Sequence, residues 1–383
     1  MRSFRIKNIF MKSRKIKKMM WIVLGSGVVV GLVFIALLLA WSPGQPQPLR
    51  GENGEPLAGS LSEKIFVEIN GTAQGMFIKS RDVRNPVLLF VHGGPGMPEY
   101  WLTQRYPTGL EEDFTVVWWE QRGAGLSYRA DLPAETMTAE QFVADTLAVS
   151  RYLIERFGQP KIYLMGHSWG SYIGIQAAAQ SPELYHAYIG VGQMAHQIES
   201  EQLAYAYALE QYRARGDTRM LRKLEAVPPS QTAPLPAEYE ALRDAYMHGI
   251  GIGTTRDMNS VITGIFLPSW QFREYTLAEK VKLWRGKVYS RSPEFGLWNT
   301  MLSVDMSQKV PRLELPAYFF HGLYDYTCAY PLAKAYAETL DAPLKGFYTF
   351  AESAHSPMFE EPQKMRQILR QDVLVGKNTL ADE

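Results

Sequence analysis

A serine framed by glycines, Gly166-His167-Ser168-Trp169-Gly170, directly follows the apolar run KIYLM (161–165) and directly precedes the helical run SYIGIQAAAQ. G-x-S-x-G between a buried strand and a helix is a nucleophile elbow. Its glycines permit a turn sharp enough to lift the Ser168 hydroxyl above the strand end. A serine hydroxyl is a weak nucleophile until a base takes its proton, so one of the seven histidines must serve. His92 and His167 sit inside glycine motifs, where their neighbours' backbone is the useful part. His186 precedes a strand, His196 and His248 lie in a helix-rich stretch, and His321 ends a strand just before an acid. His355 stands in a loop (AESAHSPMFEEP) directly after the last predicted strand, where sheets of this kind present function. Asp325 follows the preceding strand in the same way and is placed to orient the imidazole. The chemistry these types imply is acyl transfer to water.

The tetrahedral intermediate of that reaction needs two donors for its oxyanion. The Trp169 N–H, just after the nucleophile at a helix N-terminus, is one. His92-Gly93-Gly94-Pro95-Gly96 follows the strand VLLFV, and the expected second donor is the Gly94 N–H, with Gly93 as the alternative. Cys328 is the single cysteine, so an intrachain disulfide and a thiolate metal cluster are both excluded. Three residues past Asp325, it reads as a small buried filler. The closest histidines, His186 and His196, lie ten apart, and a helical His-x-x-x-His pair is absent. No metal or organic cofactor is expected.

The elements that must carry these residues can be read in order. Lys64–Ile69 and Thr72–Ile78 flank Asn70-Gly71, a type I′ hairpin signal. VLLFV (87–91), TVVWW (115–119) and KIYLM (161–165) are continuous apolar runs, as strands buried on both faces require. Thr138-Ala-Glu-Gln141 reads as a capping box opening a helix to about Phe157. Ala187–Val191 is a further strand. From 193 to 310 strands give way to helix formers, and strand patterning resumes at Ala317–His321 and Gly346–Phe350 before a last helix near Pro362–Val373. This alternation predicts an α/β fold: a mostly parallel sheet with helices on both faces, spanning 61–192 and 311–375 and interrupted by a helical lid at 193–310.

The N-terminus differs from this body. Residues 1–18 carry eight basic side chains and no acid, leaving 32 basic against 39 acidic residues in the remainder. A body of that sign lacks the basic footprint of a nucleic-acid binder. Residues 19–41 are uncharged and mostly apolar; as a helix they span about 34 Å, enough to cross a bilayer core. Trp21 and Trp41 mark the two ends. A cleaved signal peptide fits less well, because the nearest cleavage candidate, Ala40-Trp41-Ser42, is followed by Pro43. The expectation is an uncleaved single-pass anchor with a cytoplasmic N-terminus and the body on the far side. The segment 42–60, with four prolines and four glycines, reads as a semi-rigid spacer.

Five blocks resemble the α/β-hydrolases that include proline iminopeptidases: HGGPG (92–96), WWEQRGAGLS (118–127), GHSWGS (166–171), GLYDYTCAY (322–330) and SAHSPMFEEP (353–362). The likeness runs from about Leu61 to Val373, most of the lid excepted. It implies the α/β-hydrolase fold, Ser168 as nucleophile, Asp325 as acid, His355 as base, and Gly94 with Trp169 as oxyanion hole. The chain order Ser, Asp, His is the one this fold uses. The chain departs from the family pattern at Glu120, where Asp is usual, and at Ala354, where Gly is common. The resemblance implies an aminopeptidase acting on short peptides with a small N-terminal residue such as proline. Such enzymes hold the free amine through lid carboxylates, and Glu199, Glu201 and Glu210 are the candidates, though carboxylates at helical spacing more often form a solvated face. Trp270, Trp284 and Trp298 are candidate lining for an apolar pocket. A carboxylic-ester hydrolase with the same machinery and a catalytically silent binding protein are the alternatives; epoxide hydrolysis is disfavoured, because it uses a carboxylate at the elbow.

Overall fold

A computed structural model describes residues 2–382, with side chains from Met19 onward; the basic side chains of 1–18 lie outside the described residues. Helix α1 (Arg2–Ala40) precedes β1 (Leu61–Ile69), β2 (Thr72–Ser80), β3 (Val87–Val91), β4 (Thr115–Trp119), α2 (Ala139–Phe157), β5 (Ile162–His167), α3 (Trp169–Gln180) and β6 (Tyr185–Val191). The lid follows with α4 (Gln197–Ala214), α5 (Thr218–Ala226), α6 (Ala237–Gly249), α7 (Leu267–Gln271), α8 (Leu277–Ser290), α9 (Leu297–Leu302) and α10 (Met306–Lys309). The chain closes with β7 (Ala317–Gly322), α11 (Tyr330–Thr339), β8 (Lys345–Phe350), α12 (Pro357–Glu360) and α13 (Pro362–Ile368). The eight strands form one sheet in the order β1-β2-β4-β3-β5-β6-β7-β8. Only the β1–β2 and β2–β4 pairings are antiparallel.

The β1–β2 hairpin turns at Asn70 (φ 46°) and Gly71 (φ 76°), the two positive angles a type I′ turn requires. In β3 the period of two splits the apolar run between two cores. Val87, Leu89 and Val91 pack with Phe142 of α2 and Ile173 of α3, while Leu88 and Phe90 pack with Trp118 and with Ile368 of α13. Each such fully buried Leu or Val contributes about 1.5–3 kcal/mol, and burial on both faces explains why these strands show no polar alternation. The lid has its own core, in which Ala204 and Ala208 of α4 meet Tyr239 and Tyr246 of α6.

Thr138 caps α2 by accepting from the Gln141 N–H. The reciprocal half of the expected capping box is replaced: the Gln141 amide donates to Asp145 at 2.7 Å. Asp145 is fully buried and also receives Arg122 through two hydrogen bonds, tying the 118–127 block to α2.

The spacer expectation for 42–60 needs correction. Residues 49–57 pair with one another across an Arg50–Pro56 bridge, while carbonyls before them are taken by lysine ammonium groups. Lys64 bonds the Gly44 carbonyl at 2.7 Å and Lys79 the Gln47 carbonyl at 2.7 Å. Lys280 bonds both the Trp41 carbonyl (2.7 Å) and the Ser42 hydroxyl (2.9 Å). Pro43 pairs with Thr276 just before α8, so the segment lies on the body and the lid.

Candidate active site

Ser168 stands between β5 and α3 with φ 56° and ψ −122°, a backbone conformation that a non-glycine residue adopts only when its surroundings enforce it. The enforcement is visible. The Ser168 N–H donates to Val191 O, and Ser168 O accepts from the Ser171 N–H. The flanking glycines allow the approach: a Cβ on Gly166 would lie 2.4 Å from Gly170 O, and one on Gly170 would lie 1.9 Å from Val91 O.

Asp325 and His355, 30 residues apart, meet at the ends of β7 and β8, where the imidazole Nδ1 donates to the carboxylate at 2.8 Å. The carboxylate is fully buried and also receives the N–H groups of Thr327 and Cys328, each at 2.9 Å. His321, set aside in the sequence, has its Nε2 2.7 Å from Cys328 O and 3.1 Å from the carboxylate oxygen that His355 binds. Burial alone would raise the Asp325 pKa, but the charges and hydrogen bonds of His355 and His321 outweigh it and hold the carboxyl well below its ordinary value. Burial lowers the His355 pKa below its ordinary value despite the Asp325 charge, which works to raise it. Ser168 and His355 line one cavity of about 260 Å³. No hydrogen bond joins them among the described residues.

The side chain of His167 was missed in the sequence, where only its neighbours' backbone seemed useful. Its Nδ1 lies 2.6 Å from Glu99 Oε1 and its Nε2 lies 2.9 Å from His355 O. Both partners are acceptors, so both ring nitrogens must carry hydrogen. The imidazolium this implies agrees with its pKa: burial works to lower it, and the Glu99 carboxylate more than compensates, leaving it raised. Its ring centroid is 4.7 Å from that of His355, and its charge contributes to the lowered pKa there. Glu99 lies outside every recognised block, and no sequence signal pointed to it.

Among the described residues neither the Gly94 nor the Trp169 N–H has a hydrogen-bond acceptor, whereas the Gly93 N–H donates to Glu99 Oε2 at 3.3 Å. Gly94 has φ 128°, and a Cβ there would lie 2.5 Å from Gly96 N. Gln121 ties the two segments together, accepting from Trp169 Nε1 at 3.0 Å and donating to His92 O at 2.7 Å. Its neighbour Glu120 accepts the Leu126 N–H and is bonded to the Tyr275 hydroxyl. Burial pushes this carboxyl up to about 8. Ala354 does not have the positive φ that would favour glycine, so the departure there is accommodated.

The lid wall of the cavity is charged. It presents Glu240, Arg243, Asp244, Lys287 and Arg291 beside Trp298. Of the lid carboxylates singled out in the sequence, none lines the cavity. Glu201 is buried behind Arg243, which grips both its oxygens, while Glu199 is exposed beside His196 and Glu210 is exposed. Helical spacing cannot say which turn of α4 faces α6, and this is why the choice failed. Arg243 Nη2 is buried without a partner, and Lys287 forms no hydrogen bond or ion pair among the described residues. Glu240 accepts from Trp298 Nε1 at 2.5 Å. Trp270 and Trp284 do not line this cavity; they sit on α7 and α8 against Phe266, outside it. Cys328 is buried, as expected for a filler, and its thiol is pushed well above its ordinary pKa by burial. No group of three or more His, Cys, Asp or Glu residues is arranged for a metal ion among the described residues.

Comparison with known proteins places this arrangement. The family model for the alpha/beta hydrolase fold matches residues 86–224. The probable aminopeptidase YbaC of Bacillus subtilis is 31% identical over 309 residues, covering 80% of this chain and 95% of that protein. The proline iminopeptidase of Lactobacillus delbrueckii subsp. lactis is 24% identical, covering 74% of this chain and 88% of its own. Among solved structures, the proline iminopeptidase of Mycobacterium smegmatis superposes with a TM-score of 0.58 at 17% identity, covering 82% of this chain and 98% of that one, a likeness of fold. A relative matched over nearly its whole length, an uninterrupted elbow and a sheet of this order leave one assignment: the chain belongs to the α/β-hydrolase family, where it is similar to the proline iminopeptidases, and is an enzyme of the α/β-hydrolase type.

Proposed function

We propose that the chain is a serine hydrolase working through an acyl-enzyme on Ser168, and that its substrates are short peptides with a free N-terminus. The observation that carries the mechanism is the His355–Asp325 pair opening onto the cavity that also holds Ser168 and Gly94. Ser168 Oγ attacks the carbonyl carbon while His355 Nε2 takes the hydroxyl proton. The oxyanion is held by the Gly94 and Trp169 N–H groups. The leaving amine departs with the proton from His355, and water repeats the sequence to release the acid. Contacts between such a hydroxyl and its base tighten when substrate binds.

The relatives' names favour an aminopeptidase, and Glu240 with Asp244 supplies carboxylates on the lid wall where an ammonium can pair. Arg243, Lys287 and Arg291 on the same wall favour a second reading, an ester hydrolase without amine recognition. The full chain in detergent, offered proline anilide, its N-acylated form and a nitrophenyl ester, separates the two. Cleavage of the free-amine substrate alone supports the peptidase; cleavage of the ester alone removes it. A fluorophosphonate that fails to label Ser168 removes the serine mechanism itself.

Helix α1 we read as an uncleaved membrane span with its N-terminus cytoplasmic and the catalytic domain on the other side. Met19–Ala40 supports this, being long and apolar enough to cross a membrane and exposed along nearly its whole length.

A further inference from the structure

The end of α1 is fixed to the lid. The Lys280 ammonium, buried on α8, is shared among the Trp41 carbonyl, the Ser42 hydroxyl and the Trp270 carbonyl, the last at 2.6 Å. Gly44 N also donates to Arg273 O at 3.1 Å. The level at which the apolar helix stops is therefore the level of Trp270 and the first turn of α8.

Beside that junction the lid exposes apolar surface. The helical turn Ile262–Phe266 leads into α7, and Ile262, Phe266 and Leu267 are exposed. On α8, Val281, Trp284 and Val288 recur at the spacing of one helix face, with Val288 74% exposed. The two sets touch, the Phe266 ring lying 4.9 Å from Trp284 and 6.1 Å from Trp270. Scattered surface apolar residues need no explanation, but a contiguous patch does. Basic residues surround this one. Helix α8 carries Lys282 and Arg285, and its one acid, Glu279, is already paired with Lys64 at 2.9 Å.

We propose that this outer face of the lid rests on the lipid surface that α1 enters, with the Ile262–Leu267 turn and the α8 face among the acyl chains' upper segments and the basic side chains at the headgroups. The proposal rests on the reading of α1 as a membrane span. An apolar stripe flanked by Lys and Arg suits an interfacial helix, tryptophans favour the interface, and anionic headgroups attract the lysines and arginines. The rigid junction supplies what an isolated patch lacks, a fixed position beside an inserted helix. The same elements also wall the catalytic cavity from within, through Val261, Ile265, Lys287 and Arg291.

The test places an environment-sensitive fluorophore on the full chain in phosphatidylcholine vesicles containing phosphatidylglycerol. Labelled positions are Val288→Cys and Leu267→Cys in the patch, Val30→Cys within α1, and Lys377→Cys, which is exposed beyond the opposite sheet edge. The proposal expects blue-shifted emission and quenching by brominated lipid at 288, 267 and 30, and neither at 377. Aqueous emission at 288 and 267 with a lipid signal at 30 overturns the seating and leaves the anchor standing. Aqueous emission at 30 overturns both. A blue shift at 288 without bromolipid quenching means that a second copy covers the patch, and overturns the proposal as well.

Discussion

Around Asp325, backbone and imidazole donors converge on one buried carboxylate, whereas across the same cavity Arg243 and Lys287 keep donors that nothing accepts. The sheet side is a dense network: Gln121 joins the 92–96 loop to the start of α3, and Glu99 with His167 fixes the backbone of His355. The lid side is charged and partly unmatched. Buried networks paired this densely hold one geometry, so on the proposed mechanism the sheet side sets the reaction. Unmatched charge at a cavity wall gains from a partner brought by substrate, so on the proposed function the lid selects what is accepted. Reaction and choice of substrate are thus carried by different segments of chain.

Substitutions can break this division, beginning with the largest effect. Ser168→Ala should abolish fluorophosphonate labelling and lower kcat by about 10⁴-fold or more with the fold retained; persistent turnover would remove the nucleophile. Asp325→Asn should cost about 10³–10⁴-fold, since the amide favours the wrong tautomer of His355. His167→Gln should lower kcat by about 10²-fold through loss of position. Removing that positive charge should also move the acid limb of the kcat/KM profile to higher pH, a shift that simple loosening would not produce. On the proposed mechanism His355 must be neutral to act as base, and its lowered pKa places that limb below the ordinary histidine value near 6.5. On the lid, Glu240→Gln combined with Asp244→Asn should raise KM for a free-amine substrate about tenfold with kcat nearly unchanged. An equal loss in both parameters would put these residues in the chemistry and blur the division.

Glu120→Gln should leave turnover alone and change only stability. With the folded carboxyl raised to about 8 from 4.5, the folded state binds the extra proton between those values, so stability declines as pH rises through that window. The glutamine variant should lose this share of the decline and be more stable near pH 8, by about 2–4 kcal/mol. Melting temperature against pH for the two proteins reads the difference.

Most of the sheet side was legible in the sequence because its signals are local. A buried strand running into G-x-S-x-G, Asn-Gly between two alternating runs, and loops placed directly after strands each define their own geometry. Glu99 and His321 were not legible, since what matters about them is a partner 68 residues away in one case and a shared carboxylate in the other. The lid resisted for a related reason. Its helices pack on one another, and Glu201 reads as a solvated face until α6 brings Arg243 against it. The proline-rich segment misled because its composition describes a free chain, and here lysines from the body capture it.

The torsion angles at position 168 have a consequence for how such a protein ages in evolution. A side chain on a backbone bent to φ 56°, ψ −122° costs about 1–3 kcal/mol of fold stability, and glycine in its place would release most of that. A lineage that had abandoned chemistry would gain by every drift toward glycine there. A hydroxyl held at so strained a point of the main chain is what the proposed nucleophile needs, and what a binding surface alone would not need.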